Sequence, residues 1–249
     1  MFRALPPPIA FASLDQIVER LASIVELALR LAIKQHGQAH FAVSGGSTPK
    51  PLYEHLSKVD LGWEHVKVTL VDERWVQPDH HASNEKFVRA TLMQHNAQAA
   101  SLQTLWCDGL SHQDAAIQIN QAWRQTWTPI DVAILGMGTD GHTASWFPHA
   151  HGLDGAILED ERSAIVAAIT ADESAVTGEN VERLTLTKSA LRGASAILLM
   201  ISGEAKRRTY ELAMKTPTTQ TDIHDMPVRS LSCGDVDLSA RIWPAWAPT

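Results

Sequence analysis

Four short segments of this 249-residue chain hold the residue types that proton transfer beside a small anion requires. Gly136-Met137-Gly138-Thr139-Asp140-Gly141 runs directly into His142, so one glycine-rich loop presents a carboxylate and an imidazole together. An imidazole exchanges a proton readily near neutral pH, and a positioned one is the commonest general base. Gly45-Gly46, flanked by Ser44, Ser47 and Thr48, stands before Pro49, a residue suited to the first turn of a helix. Glycines let the backbone approach an anion, hydroxyls add donors, and a helix start offers unpaired N–H groups. The same pentapeptide also reads as a tight turn before an ordinary capped helix. Asp72-Glu73-Arg74 and Ser202-Gly203-Glu204-Ala205-Lys206-Arg207 each follow an apolar run. The first reads as a strand-end charge cluster that is either a site or a solvated turn. In the second, Lys206 falls in a first helical turn, where its charge opposes the helix dipole unless it meets an anion or simply points to water.

These segments exclude some familiar sites. The 44–49 stretch lacks the G-x-x-x-x-G-K-[ST] spacing of a nucleotide P-loop. The 136–141 loop matches G-x-G-x-x-G formally, but Pro148 and Gly152 interrupt the long helix that a dinucleotide fingerprint must start. The pairs His80-His81 and His149, His151 have no acidic or cysteine partner at ligand spacing and read as surface histidines. Eight tryptophans read as core or lid residues without a chemical role.

The elements that must position these loops alternate. Leu14, Ile17, Val18, Leu21, Ile24, Val25, Ala28 and Leu31 repeat at helical spacing, with Ser13 and Gln16 placed as a capping box and Gly37 as a stop. Strands are expected at His40 to Val43, Val66 to Val71, Asp131 to Leu135, Ala164 to Ala168, Leu184 to Thr187 and Ala194 to Ile201. Helices are expected after Pro49, from Ser83 to about Met93, from Ser111, after Thr187, and from Gly203 to about Met214. Lys215 to Asp225 reads as a surface loop, and the tail from Ser239 to Thr249 gives no usable pattern. Such alternation implies an α/β fold, a mostly parallel Rossmann-like sheet with helices on both faces. Right-handed crossovers then bring the loops at the strands' carboxyl ends to one edge. With no repeat, low-complexity stretch or linker in view, residues 1–249 are expected to form one domain.

Composition narrows the partners. Lys+Arg 21 against Asp+Glu 28 gives a net charge of −7 with no basic run, which disfavours nucleic acid. No window has the ~18 unbroken apolar residues of a membrane helix, and Pro6 to Pro8 interrupt any secretory signal, so a cytoplasmic setting is expected. Cys107 and Cys233 lie far apart and suggest neither a disulfide framework nor a structural zinc site.

Three segments together resemble the 6-phosphogluconolactonase family: Ser44-Gly45-Gly46-Ser47-Thr48-Pro49; Val71-Asp72-Glu73-Arg74-Trp75-Val76 with Ser83-Asn84; and Gly136 to Ser145. The likeness continues through Leu184-Thr185-Leu186-Thr187, the 202–207 segment and Pro227-Val228-Arg229, over nearly the whole chain. It implies the sheet shared with glucosamine-6-phosphate deaminases and ribose-5-phosphate isomerases, hydrolysis of a sugar-phosphate lactone in the oxidative pentose phosphate pathway, and no cofactor or catalytic metal. It makes His142 the base, with Asp140 and Asp72 near it, and assigns substrate binding to Ser44, Gly45, Gly46, Ser47, Thr48, Arg74, Asn84, Gly136, Gly138 and Lys206. Backbone N–H groups of the 136–141 loop are the expected oxyanion donors. A monomer or weak homodimer is expected. After Pro148 the chain has His149 where the family usually has glycine. The alternatives are a glucosamine-6-phosphate deaminase and a non-catalytic sugar-phosphate sensor. The deaminases have tyrosine at the position of Arg74 and glutamate at that of Phe147.

Overall fold

The computed structural model describes residues 4–158, 164–215, 219–233 and 238–248. In chain order the elements are β1 (Ile9–Ala10), α1 (Leu14–His36), β2 (Ala39–Val43), α2 (Lys50–Leu56), β3 (Val66–Leu70), β4 (Asp72–Arg74), α3 (Asn84–Thr91), β5 (Ser101–Gln103) and α4 (His112–Trp123). They continue with β6 (Val132–Gly136), α5 (Leu153–Ile157), β7 (Val166–Thr170), β8 (Glu182–Leu186), α6 (Lys188–Leu191), β9 (Ala196–Ser202), α7 (Glu204–Ala213), α8 (Gln220–Asp225) and β10 (Ile242–Ala247).

Helix α1 forms as its periodicity demands. Ile17, Leu21, Val25 and Leu29 are buried along one face, each burial stabilising by about 1.5–3 kcal/mol. Ser13 accepts from the Gln16 N–H, Gln16 turns its own side chain to the Ala12 N–H, and Gly37 at φ 75° ends the helix in the left-handed region.

Among the described residues, seven strands form a parallel sheet in the order β1-β10-β9-β6-β2-β3-β5. Its central strands are apolar and buried on both faces, as in Phe41-Ala42-Val43 and Ile197 to Ile201. From β2 the chain steps to β3 and β5, whereas from β6 it steps the other way, to β9 and β10. Right-handed crossovers therefore put the two sets of helices on opposite faces, and α1 indeed packs against α2. The carboxyl ends of β2 and β6 flank the point where direction reverses, the place where open α/β sheets bind ligands.

Three strands leave this pattern. β4, β8 and β7 pair antiparallel in a separate sheet, so the segments expected near 164–168 and 184–187 are not part of the parallel array. Two other expectations also need correction. Within the supposed loop from Lys215 to Asp225, Thr219 and Asp222 form a reciprocal capping box that starts α8; residues 216–218 lie outside the described residues. The tail becomes β10, inserted between β9 and β1. Pro244 is tolerated because β1 pairs only with Ala245 and Trp246. No helix among the described residues is long and apolar enough to cross a membrane.

Candidate active site

The loop after β6 is built around its glycines. A Cβ on Gly138 would overlap the His142 ring and Asp140, so only glycine lets that side chain fold back over the loop. The Gly138 N–H donates to the His142 carbonyl and the Gly141 N–H to that of Gly138, closing a tight turn in which Gly141 has φ 83°. These two N–H groups are thus used inside the loop, so any oxyanion donor from residues 136–141 has to be another of its N–H groups. Thr209 on α7 donates to the Thr139 carbonyl and ties the loop to the helix that carries Lys206.

Within this turn His142 Nδ1 lies 2.6 Å from Asp140 Oδ1, which also accepts from the His142 N–H at 3.1 Å. The two side chains keep 19% and 27% of their surface exposed. Burial pushes the Asp140 carboxyl up, but the hydrogen bonds and charge of His142 outweigh it, and its pKa falls below the ordinary value. An ionised carboxylate only accepts, so Nδ1 carries a proton, and in the neutral form of the ring the lone pair is on Nε2. The Phe147 ring packs on the imidazole with centroids 4.4 Å apart.

Asp72 has other partners. Its Oδ2 accepts from Ser145 Oγ at 2.6 Å, and Asn84 Nδ2 donates to its carbonyl at 2.8 Å. Of the two acids expected near His142, Asp140 alone is hydrogen-bonded to it among the described residues.

Strand alternation divides the neighbouring charged triplet. In the β4/β8 pair, Asp72 is opposite Thr185 and Arg74 opposite Arg183, on one face, while Glu73 is opposite Leu184 on the other. Glu73 is 2% exposed and accepts from the N–H groups of Arg74, Asn84 and Glu85 and from Ser83 Oγ. It is the anchor for the start of α3, and burial raises its carboxyl pKa against those hydrogen bonds. Arg74 bonds the Asn84 carboxamide oxygen and the Ala82 carbonyl. Arg183 was not singled out from sequence. A lone basic residue beside the apolar run Leu184 to Leu186, on the same face as Thr185, was the available signal. Burial, then the like charge of Arg74, lowers its guanidinium pKa to about 10, against the pull of Asp72 and Glu73. It donates to the Asn180 and Thr177 carbonyls and lies 5.5 Å from the centre of the Phe147 ring.

Several of these groups meet in one cleft of about 310 Å³. Of the residues expected from sequence, Ser44, Gly45, Gly46, Asp72, Arg74, Asn84, Gly136, Gly138, His142 and Lys206 line it, joined by Arg183 and Phe147. Asp140 reaches it through His142. Ser47 and Thr48 are not in its lining; Thr48 Oγ1 instead meets Ser202 Oγ at 3.2 Å and links the ends of β2 and β9. The Tyr53 hydroxyl accepts from the Ser44 N–H and donates to the Ser44 carbonyl, fixing the turn from below. Burial pulls the Lys206 ammonium below the ordinary lysine value, and the Asp140 charge offsets part of that. Three cations thus share a cleft with a carboxylate-held imidazole, an arrangement that can grip an anion and move a proton. Among the described residues no group of three or more His, Cys, Asp or Glu side chains is placed to hold a metal ion.

A family profile described as glucosamine-6-phosphate isomerases/6-phosphogluconolactonase matches residues 12–240. The chain belongs to this family. A 6-phosphogluconolactonase of Caulobacter vibrioides is 38% identical over 199 residues, 80% of this chain and 83% of the relative. One from Rhizobium meliloti is 36% identical over 221 residues, 89% and 91% of the two chains. The crystal structure of a 6-phosphogluconolactonase from Shewanella baltica superimposes with a TM-score of 0.85 at 31% identity, covering 99% of this chain and 100% of the other. A monomeric glucosamine-6-phosphate deaminase shares the fold, with a TM-score of 0.74 at 15% identity. Residues 74 and 147 are the two positions at which the sequence reading sets this chain apart from the deaminases. Here Arg74 lines the cleft and Phe147 packs on the imidazole.

Proposed function

We propose that this chain hydrolyses 6-phosphogluconolactone to 6-phosphogluconate. The observation that carries the reading is His142, bonded to Asp140 through Nδ1 in a cleft that also contains Arg74, Arg183 and Lys206. The naming of its relatives as 6-phosphogluconolactonases supplies the substrate class.

His142 Nε2 takes a proton from water as the oxygen attacks the lactone carbonyl, a step for which a positioned base contributes ~10²–10⁴-fold. Asp140 holds the ring in the required tautomer and stabilises the imidazolium. The tetrahedral intermediate then collapses with cleavage of the bond between the carbonyl carbon and the ring oxygen. That oxygen leaves as an alcohol after taking the proton back from the imidazolium. Water supplies the new carboxylate oxygen, and no covalent enzyme intermediate forms. Arg74, Arg183 and Lys206, with the Gly45-Gly46 turn, grip the 6-phosphate, which is remote from the reacting bond and so can fix the ring in place. Asp72 holds Asn84 and Ser145 and takes no proton.

The test is acid release from freshly generated 6-phosphogluconolactone, measured above its spontaneous hydrolysis. Wild type is expected to accelerate it, and His142→Ala to lose at least 10²-fold in kcat. Equal rates for the two proteins would remove the assigned base. Ammonia released from glucosamine 6-phosphate would replace the lactonase reading with the deaminase one.

A further inference from the structure

The segment that follows the catalytic loop is held from outside the cleft. His149 is a non-glycine residue at φ 55°, and Ala144 in the same loop is at φ 50°. Both occupy the left-handed region, which costs an L-residue energy and persists only where the surroundings hold it. At His149 the side chain supplies a hold. Its Nε2 lies 2.7 Å from Asp225 Oδ1 at the end of α8. One residue earlier, His224 Nε2 lies 2.8 Å from Asp154 Oδ1 in α5, just beyond His149 in the chain. The rings of His149 and His224 meet edge to face at 6.3 Å.

The same short stretch also grips the other end of the loop. The Val228 N–H donates to the Gly141 carbonyl at 3.0 Å, and Met226 is packed so closely on Gly141 that a Cβ there would crowd it. Residues 224–228 therefore clasp the chain at Gly141, at His149 and at Asp154. His142 and Phe147, whose rings meet at a tilt with centroids 4.4 Å apart, lie between the first two holds.

We propose that the His149–Asp225 pair, supported by His224–Asp154, is a latch that positions His142 by fixing the far end of the loop it stands on. His149 and Asp225 are positioning residues and touch no substrate. The inference rests on the lactonase reading above for its catalytic consequence, but not for its structural one. Because the two side chains are 58% and 54% exposed, the hydrogen bond is a modest one and its loss is felt as a small factor.

The experiment compares wild type, His149→Gly, His149→Asn, Asp225→Ala and the His149→Gly/Asp225→Ala double variant. Each is read by kcat, KM, thermal midpoint and the ring ¹⁵N signals of His142. Glycine accepts the left-handed backbone without strain, so His149→Gly is expected to keep or raise the melting temperature while kcat falls about two- to fivefold and KM stays within twofold. Asparagine also tolerates that backbone, but its amide nitrogen ends where Nδ1 stands and falls short of Asp225, so His149→Asn should lose kcat as His149→Gly does. Asp225→Ala should match His149→Gly in kcat and KM, though with a lower thermal midpoint because His149 keeps its left-handed backbone, the double variant should lose no further kcat, and the His142 signals should shift or broaden in each. Unchanged kcat with unmoved His142 signals in His149→Gly overturns the latch, as does multiplication of the two single effects in the double variant. A wild type with no lactonase activity refutes the proposed function instead, and the His142 signals then decide the latch alone.

Discussion

A side chain on Gly45 would occupy the space of the Asn84 carboxamide oxygen, so the turn after β2 and the start of α3 fit together only because residue 45 has no Cβ. Asn84 is 2% exposed and has little room to retreat, since its backbone N–H is held by Glu73 and its amide by Asp72. Its oxygen is also the group that Arg74 bonds. Gly45→Ala should therefore displace both Asn84 and the guanidinium. Losing one charge-assisted contact to the phosphate, ~1.5–3 kcal/mol, corresponds to roughly a tenfold or larger rise in KM. Steady-state kinetics should show this with kcat reduced much less, and an unchanged KM would contradict the role given to Arg74.

Asp140 and Asp72 make separable predictions. Asp140→Asn removes the acceptor that fixes Nδ1 as the protonated nitrogen, and an amide can instead donate to it and reverse the tautomer. A loss of kcat on the order of 10²-fold or more is expected, with KM nearly unchanged. Asp72→Asn leaves that bond intact and weakens the contact with Ser145, so the expected kcat loss is clearly smaller. The reverse ranking in a side-by-side assay would transfer the orienting role to Asp72.

The sequence patterns that revealed the parallel sheet were those with a strong local cause. The 3.6-residue stripe of α1, the continuously apolar strands and the glycine loops at their ends each have one dominant physical reading. The unread parts had weaker or misleading local signals. Pro244 argues against a strand, and only the shortness of β1 makes it harmless. The β4/β8 pairing joins residues more than 100 positions apart, so no nearby pattern announces that Arg183 faces Arg74. The Asp72-Glu73-Arg74 triplet showed charge but not direction; the pairing of Glu73 with Leu184 sends its carboxylate away from the cleft and onto the start of α3. The pattern left Asp140 and Asp72 both open as the partner of His142, because which acid meets the ring depends on how the loop folds back over Gly138.

Arg183 and Lys206 should act on the phosphate and not on the chemistry. Lys206→Ala is expected to raise KM for the phosphorylated lactone by roughly ten- to a hundredfold, the worth of one charge-assisted hydrogen bond, with kcat little altered. Arg183→Met removes the charge that lies over the Phe147 ring and also frees the Asn180 and Thr177 carbonyls, so KM should rise in the same way while stability falls. The decisive comparison is the unphosphorylated lactone. Both variants should handle it as wild type does, and a matching rise in its KM would show that these cations hold something other than the phosphate.

His40 gives a prediction about stability, far from the proton-transfer step. It is 1% exposed in β2, its Nδ1 bonds the Thr128 carbonyl at 2.9 Å, its Nε2 lies 2.7 Å from Thr69 Oγ1, and its ring meets Trp127 edge-on. Burial first, and the charge of Lys67 second, lower its pKa from 6.5 to about 4. Between these values the unfolded chain binds a proton that the folded chain refuses, so stability rises with pH there. The contribution is complete above about 6.5 and disappears as pH falls through the window to about 4, on the order of 3 kcal/mol in all. His40→Gln retains a donor and an acceptor without titrating. Urea unfolding of wild type from pH 7 down to 4.5 should show a steeper loss than the variant shows. Parallel curves for the two proteins would mean that His40 does not resist protonation in the fold.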